Sequence, residues 1–487
     1  MLDSIKSASK NSIIYGIGNI SLKAIGLILF PIYSSALSIG EYGILGLLEV
    51  TAQLLIAVVS LNISTGLVRF YFDKQYTGKQ KEMYFVSLLA VFILAMVTGI
   101  FIFAYSDKFS QFLLDSRDYS QLIRLMYVSV IFQVLNTIPT NLMRLQEKAT
   151  MYSILMVSRL LVSLLVIIYL LVGKKMGLEG ILIGQIVGHM TYFILVLGYS
   201  IRNSKISINT RLISDLLTFS IPLVLASVSS VIITITDRYC LKSLGTMEDV
   251  GVYSAGYKIA NTLLIIFAAM QMALVPMFFQ KMDDPNRHRF YSKAITYSIY
   301  IGMILTLGIS FFGMEIIKVL SANPDYWLAN NVIPVISFAL LFGMIRYYLV
   351  QFLSIAKKTR HIAIITLVVA IINLGLNLLL IPKYNYMGAA FATLIAQLVF
   401  MLFVFYYSQK FYHIPHEIKK NLLVLGIGAL MILAVPLINE LGLGWRLILK
   451  ASIILLFPLV LIPLRFYEEI EKQRLREFID KLRNRWR

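Results

Sequence analysis

The chain holds a single cysteine, Cys240, in 487 residues. That excludes an intrachain disulfide and any metal centre built on paired thiolates. Histidine is almost as scarce. His189, His288, His361, His413 and His416 are scattered, and only the last two, in one short loop, are close in sequence. Charge is the next shortage, negative charge above all: 25 Asp and Glu, with all charged residues at 14%, against about 25% in soluble domains. A soluble globular fold is thereby excluded. No phosphate-binding loop ending in Gly-Lys-Ser/Thr is present, and no nucleophile–base set is apparent, so no enzymatic activity is expected. Nor does the chain show the short alternating segments of an outer-membrane barrel.

What is abundant is apolar sequence. Hydrophobic residues make up 59% and the mean hydropathy is +0.79. A spanning helix takes about 20 apolar residues. Such segments fall at about 11–34, 43–66, 84–105, 119–141, 151–172, 178–200, 212–236, 251–275, 293–314, 331–353, 361–381, 386–407, 421–439 and 446–465. This predicts an all-α integral membrane protein with fourteen transmembrane helices. The first segment is read as a span, not as a cleavable signal, although Ser34-Ser35-Ala36 loosely resembles a cleavage site.

The net charge of +19 is explained by where the cations lie. With the N-terminus inside, alternate connecting segments carry 29 Lys and Arg against 9 on the other side, and six lie within spans. Basic connections stay cytoplasmic, so both termini are expected in the cytoplasm, and nucleic acid is not needed to account for the charge. Residues 467–487 place Tyr467, Ile470, Phe478 and Leu482 at helical spacing opposite a charged face. That tail reads equally as an amphipathic helix on anionic lipid or as a solvated helix.

An internal repeat appears at an offset of about 210 residues. Leu145-Gln-Glu-Lys-Ala149 is echoed by Ile355-Ala-Lys-Lys-Thr359, and Ile183-Gly-Gln-Ile-Val187 by Ile395-Ala-Gln-Leu-Val399. Six spans separate the copies, an even number, so the halves share one orientation. Such parallel repeats place a substrate between the halves. The expected organisation is a lobe over 1–205, a second over 206–410, two extra C-terminal helices over 411–466 and the basic tail over 467–487.

Four cations sit where lipid-facing residues are expected: Lys23, Arg159, Lys258 and Arg346. At mid-bilayer each would cost about 2.5–3.5 kcal/mol on insertion scales. Either they reach back to an interface, an option most open to Arg159, or they face a wet cavity. Acidic residues are expected only nearer the helix ends, at Glu49, Asp237 and Glu315, which would leave the cavity electropositive. Asn373 and Asn377 are at i, i+4 and share one helix face.

Lys10-Asn-Ser-Ile-Ile-Tyr-Gly-Ile-Gly-Asn19, Pro31-Ile-Tyr-Ser-Ser-Ala-Leu-Ser-Ile-Gly-Glu-Tyr-Gly43, Gly251-Val-Tyr-Ser-Ala-Gly-Tyr257 and Asn385-Tyr-Met-Gly-Ala-Ala-Phe-Ala-Thr393 resemble polysaccharide repeat-unit (Wzx-type) flippases. Their superfamily also holds multidrug exporters and the peptidoglycan-precursor flippase. The resemblance implies a bacterial plasma-membrane transporter that moves undecaprenyl-pyrophosphate-linked oligosaccharide from the inner to the outer leaflet. It also implies partners in polymerase and chain-length proteins of the same pathway, membrane lipids around it, and a coupling cation, Na+ or H+. On this reading the four cations meet the pyrophosphate. Asn373, Asn377 and Thr393 resemble the sodium site of the peptidoglycan-precursor flippase, with Asn377 standing where that site has a carboxylate. The competing interpretation of this trio is an interhelical amide hydrogen bond. The competing functions are a cation-coupled drug exporter, which wants acids in its cavity, and a membrane polymerase or ligase, which wants a large outer loop.

Overall fold

A computed structural model describes residues 26–469 and 473 of the chain. Lys23 and nearly all of the basic tail lie outside the described residues. Every regular element described is helical, as a hydrocarbon solvent requires, because only then are the backbone amides of a spanning segment satisfied within that segment.

The first half contains α1 (Phe30–Ala36), α2 (Ile39–Val59), α3 (Ile63–Phe70), α4 (Gln80–Ala104), α5 (Ser106–Leu114), α6 (Ser120–Leu145), α7 (Ala149–Ile168) and α8 (Gly177–Asn203). The second contains α9 (Thr210–Leu244), α10 (Met247–Ala260), α11 (Leu263–Gln280), α12 (Arg287–Leu320), α13 (Val332–Ile355) and α14 (Thr359–Phe411). Then follow α15 (Ile418–Ile432), α16 (Val435–Asn439) and α17 (Leu443–Val460). Twelve described segments are long and apolar enough to cross a membrane. One of them, α14, is two helices joined where Asn385 takes φ 48° and ψ −130°. Gly26–Ala36 is the described end of the first expected span. With those two adjustments each of the fourteen expected spans has its helix.

Some boundaries differ from the expectation, with consequences. The seventh span does not end near 236; α9 runs on to Leu244, which puts Asp237 and Arg238 inside a helix. The eighth is broken at Asn261–Thr262 into α10 and α11.

Local sequence explains how the halves meet. Ser38 and Glu41 form a capping box at the start of α2, and Thr246 and Asp249 form one at the start of α10. Each box satisfies amide donors that a helix start would otherwise leave open. The two helices then cross at glycine. A Cβ on Gly43 would lie 2.1 Å from the Met247 carbonyl oxygen, and one on Gly251 would lie 2.0 Å from the Ile39 carbonyl oxygen. Only glycine permits so close a backbone approach.

The connections gather at two ends. At one end Lys205 pairs with Glu82, Gln146 donates to Tyr71 and Asn203, and Lys293 pairs with Glu417. This is the end of the basic connections. At the other, Lys242 pairs with Asp115, the Ser34 hydroxyl donates to the Leu320 carbonyl, and the Tyr326 hydroxyl to that of Leu37.

Candidate functional site

Two joined cavities lie in the contact between the halves, and a third, within the second half, adjoins them. The first, about 390 Å³, is lined by Gln133, Arg159, Gln185 and His189 of the first half and by Lys258 of α10. The second, about 310 Å³, shares Glu49, Gln53 and Lys258 with it and adds Arg238 and Tyr257. The third, about 720 Å³, touches the second at Thr234 and holds Arg346, Gln397 and Phe400.

Arg159 faces the first cavity instead of reaching the basic end. Its Nη2 lies 3.1 Å from Nε2 of His189, and His189 is 4% exposed. The backbone carbonyl of His189 accepts from the Asn136 side-chain amide at 3.0 Å. Lys258 projects from the end of α10 between the rings of Tyr33 and Tyr42, with Nζ 5.6 and 5.8 Å from their centroids. Glu49 is 3.8 Å from it. Arg346 belongs to the third cavity alone, its guanidinium 4.2 Å over the Phe400 ring. The structure thus joins Arg159 and Lys258 in one space and sets Arg346 in the next.

Two expectations need correction. Glu49 is the eleventh residue of the 21-residue α2 and lines two of the cavities, so an acid does sit in mid-helix, beside Lys258. Arg238 is not a connecting-segment cation but is 7% exposed within α9. It donates to the Ser254 hydroxyl at 3.1 Å and lies over the Tyr253 and Tyr257 rings at 5.5 and 5.0 Å. The lining still carries four cations, Arg159, Arg238, Lys258 and Arg346, against one carboxylate. Lys23 lies outside the described residues.

The asparagine–threonine trio converges on a residue that sequence reasoning left at a helix end. Asp237 is 2% exposed. Its Oδ1 accepts from Nδ2 of Asn377 at 2.7 Å and of Asn373 at 3.3 Å. Its Oδ2 lies 2.6 Å from the Thr393 hydroxyl and 2.7 Å from that of Tyr253. The chain doubles back at Asn385, which brings Thr393 opposite Asn377, and α9 inserts the carboxylate between them. The cluster is therefore not uncharged: the acid missing at position 377 is supplied by α9. Asn377 Oδ1 is buried without a hydrogen-bond partner among the described residues, and the Ala389 carbonyl is 3.0 Å from the Thr393 hydroxyl. The asparagines turn their amide N–H groups, and Thr393 and Tyr253 their hydroxyls, toward the Asp237 carboxylate, so the trio is joined across helices by hydrogen bonds to that one acid. Among the described residues no group of three or more His, Cys, Asp or Glu could hold a transition metal. The signal for Asp237 was present in the sequence, since an acid inside a span is a functional candidate by default.

A family model described as polysaccharide biosynthesis protein matches residues 8–282, and the MatE model matches residues 222–379. The capsular polysaccharide biosynthesis protein CapF of Staphylococcus aureus is 25% identical over 218 residues, 43% of this chain and 54% of that protein. The chain spans about half the length of such curated relatives. Among solved structures, the lipid II flippase MurJ in an inward closed conformation superposes with a TM-score of 0.72 at 15% identity, covering 92% of this chain and 98% of that one. A multidrug resistance MATE family transporter in an inward-facing conformation gives 0.64 at 15% identity, over 81% and 94%. These likenesses establish the fold. The chain belongs to the polysaccharide biosynthesis protein family, within the superfamily of multidrug, oligosaccharidyl-lipid and polysaccharide exporters.

Proposed function

We propose that the protein is a flippase for undecaprenyl-pyrophosphate-linked oligosaccharide repeat units, carrying them from the inner to the outer leaflet of the bacterial plasma membrane for O-antigen, capsule or exopolysaccharide synthesis. The observation that carries this reading is the sign of the cavity: Arg159, Arg238 and Lys258 face one carboxylate, Glu49, in the space between the halves. A pyrophosphate diester carries about two negative charges at neutral pH, close to the excess of cations there, and charge-assisted hydrogen bonds from Arg and Lys suit its oxygens. A drug exporter of the same fold handling cationic compounds would want the opposite polarity.

On this reading both termini are cytoplasmic and the basic end is the loading side. The lipid tail stays in the bilayer while the polar head crosses. No bond is made or broken, and a cation at Asp237, Asn373, Asn377 and Thr393, sodium or a proton, couples the cycle to an ion gradient. The flipped units pass to polymerase and chain-length proteins on the far side.

Deletion of the gene should accumulate lipid-linked oligosaccharide in the inner leaflet, measured by leaflet-selective labelling. Restoration by Arg159→Gln or Lys258→Gln should be at least about tenfold slower than by the wild type, since a hydrogen bond to a charged group is worth about 1.5–3 kcal/mol. Asp237→Asn should abolish any dependence of transport on the ion gradient. Unchanged leaflet distribution in the deletion strain refutes the function. Full activity of both Gln variants refutes the role of the cavity.

A further inference from the structure

Away from the basic end the halves meet through more than the glycine crossing of α2 and α10. The connection between α12 and α13, residues 321–331, reaches across from the second half. It carries a 3₁₀ turn over Pro324–Asn331 and is braced by its own side chains. The Asn323 side chain accepts from the Asp325 amide at 3.0 Å, the Trp327 indole donates to the Ser321 carbonyl at 3.0 Å, and Lys318 lies 4.5 Å over the Trp327 ring. These bonds lie wholly within the second half, so the segment can move as one piece. What it presents to the first half is Tyr326, which is 0% exposed.

Tyr326 fills an aromatic socket. Its ring meets those of Phe30 and Tyr42 edge to face, with centroids 5.8 and 5.5 Å away, and those two meet each other in the same way at 5.6 Å. Aromatic rings favour that geometry. The hydroxyl reaches further, to the Leu37 and Ser38 carbonyls at 3.1 and 3.2 Å. Leu37 is the C-cap of α1, and the last carbonyls of a helix have no partner within it. One side chain of the second half thus serves the turn between α1 and α2 of the first. Ser34 of α1, 1% exposed, returns the contact by donating to the Leu320 carbonyl at the end of α12.

The repeat supplies a counterpart of a different strength. In the first half the matching segment, the end of α5 and its connection to α6, reaches the end of α9. There Lys242 pairs with Asp115 at 2.6 Å and donates to the Phe112 carbonyl at 3.1 Å. The Asp115 side chain is 68% exposed, and exposed ion pairs hold weakly and are screened by salt. The Tyr326 contact is buried and carries no charge, which makes it the stronger of the two.

We propose that the α12–α13 connection is a latch: seated between Phe30 and Tyr42, Tyr326 keeps the halves shut at the end opposite the basic connections, and its withdrawal opens that end. That this end faces the outer leaflet rests on the proposed function; the latch itself does not.

The test uses the purified full-length protein in detergent, carrying Cys240→Ser and Ser34→Cys, with the rate of labelling by a polar maleimide as the measure of opening. Tyr326→Phe keeps the ring and removes both hydrogen bonds, and should speed labelling about tenfold. Tyr326→Ala empties the socket and should speed it roughly a hundredfold or more. Asp115→Asn should change it less than about threefold. Labelling unaltered by both Tyr326 variants overturns the proposal. So does an Asp115→Asn variant that opens as readily as Tyr326→Phe, because the ion pair would then be the clasp. An equal gain from Tyr326→Phe at a cysteine placed instead at Ser87, which is 0% exposed within the first half, overturns it too, since the whole fold and not one end would be loosened. If labelling follows Tyr326 while deletion of the gene leaves lipid-linked oligosaccharide in its normal leaflets, the latch stands and the proposed cargo is what fails.

Discussion

Asp237 and Arg238 are neighbours in sequence with opposite duties. One turn position sends the carboxylate into the Asn373–Asn377–Thr393 cluster, and the next sends the guanidinium to the cavity wall. A second buried charge cluster, outside the cavities around Lys258, fixes the C-terminal helices. Glu315 of α12 forms an ion pair with Arg446, whose Nε is 2.7 Å away, and accepts from Lys450 Nζ at 2.7 and 2.9 Å. Lys450 is fully buried and also donates to the Asn439 side chain at 2.6 Å. Removing one member of such a cluster leaves the others charged and unpaired, at a cost of about 3–5 kcal/mol. Glu315→Gln is therefore expected to lower the thermal unfolding temperature of the detergent-solubilised protein by several degrees, with α16 and α17 loosened from α12. A melting curve superimposable on that of the wild type would show that the cluster does not hold these helices.

At the scale of elements, the crossing of α2 and α10 is the point where the halves come closest away from the basic end. Positions 38, 39, 41 and 43 correspond to 246, 247, 249 and 251 at one constant offset, and each glycine faces the carbonyl at the other's corresponding position. A two-fold relation of this kind makes the contact self-complementary, so one side chain on either glycine separates both strands of contact. Gly251→Val should keep this end from closing. Two readings check this: transport at least about tenfold slower, and a cysteine placed at Ser254, which is 5% exposed in the closed arrangement, labelled faster by an impermeant maleimide. Normal transport with no gain in labelling would mean that the halves close elsewhere.

For the whole molecule, the spans alternate direction and the basic connections share one end. That predicts opposite reports from fusions at Lys174 and Lys357: Lys174 outside, Lys357 inside. Both reporters on one side would require a different number of crossings between them. The structure sharpens the charge asymmetry, because Arg238 and Arg446, counted with the outer connections, are buried at 7% and 9% exposure within helices and so place no charge in solvent at that end.

The number of the helices was legible in the sequence because lipid imposes a one-dimensional rule. Any segment that crosses must be apolar for about 20 residues and helical throughout, and the basic residues between crossings mark the side. The presence of cations inside spans was legible for the same reason, as exceptions to that rule. Their partners were not. Whether Arg159 reaches the interface or meets His189, whether Glu49 stands beside Lys258, and whether Arg346 shares their cavity depend on which faces of separate helices come together. Nothing in a single helix's periodicity encodes that. Asn373 and Asn377 could be placed on one face by their spacing, but the carboxylate that completes their cluster is 136 residues away from Asn373. Asp237 reached it only because α9 continues past the end of its apolar run and packs against the doubled-back α14, a choice made by tertiary contact and not by local hydropathy.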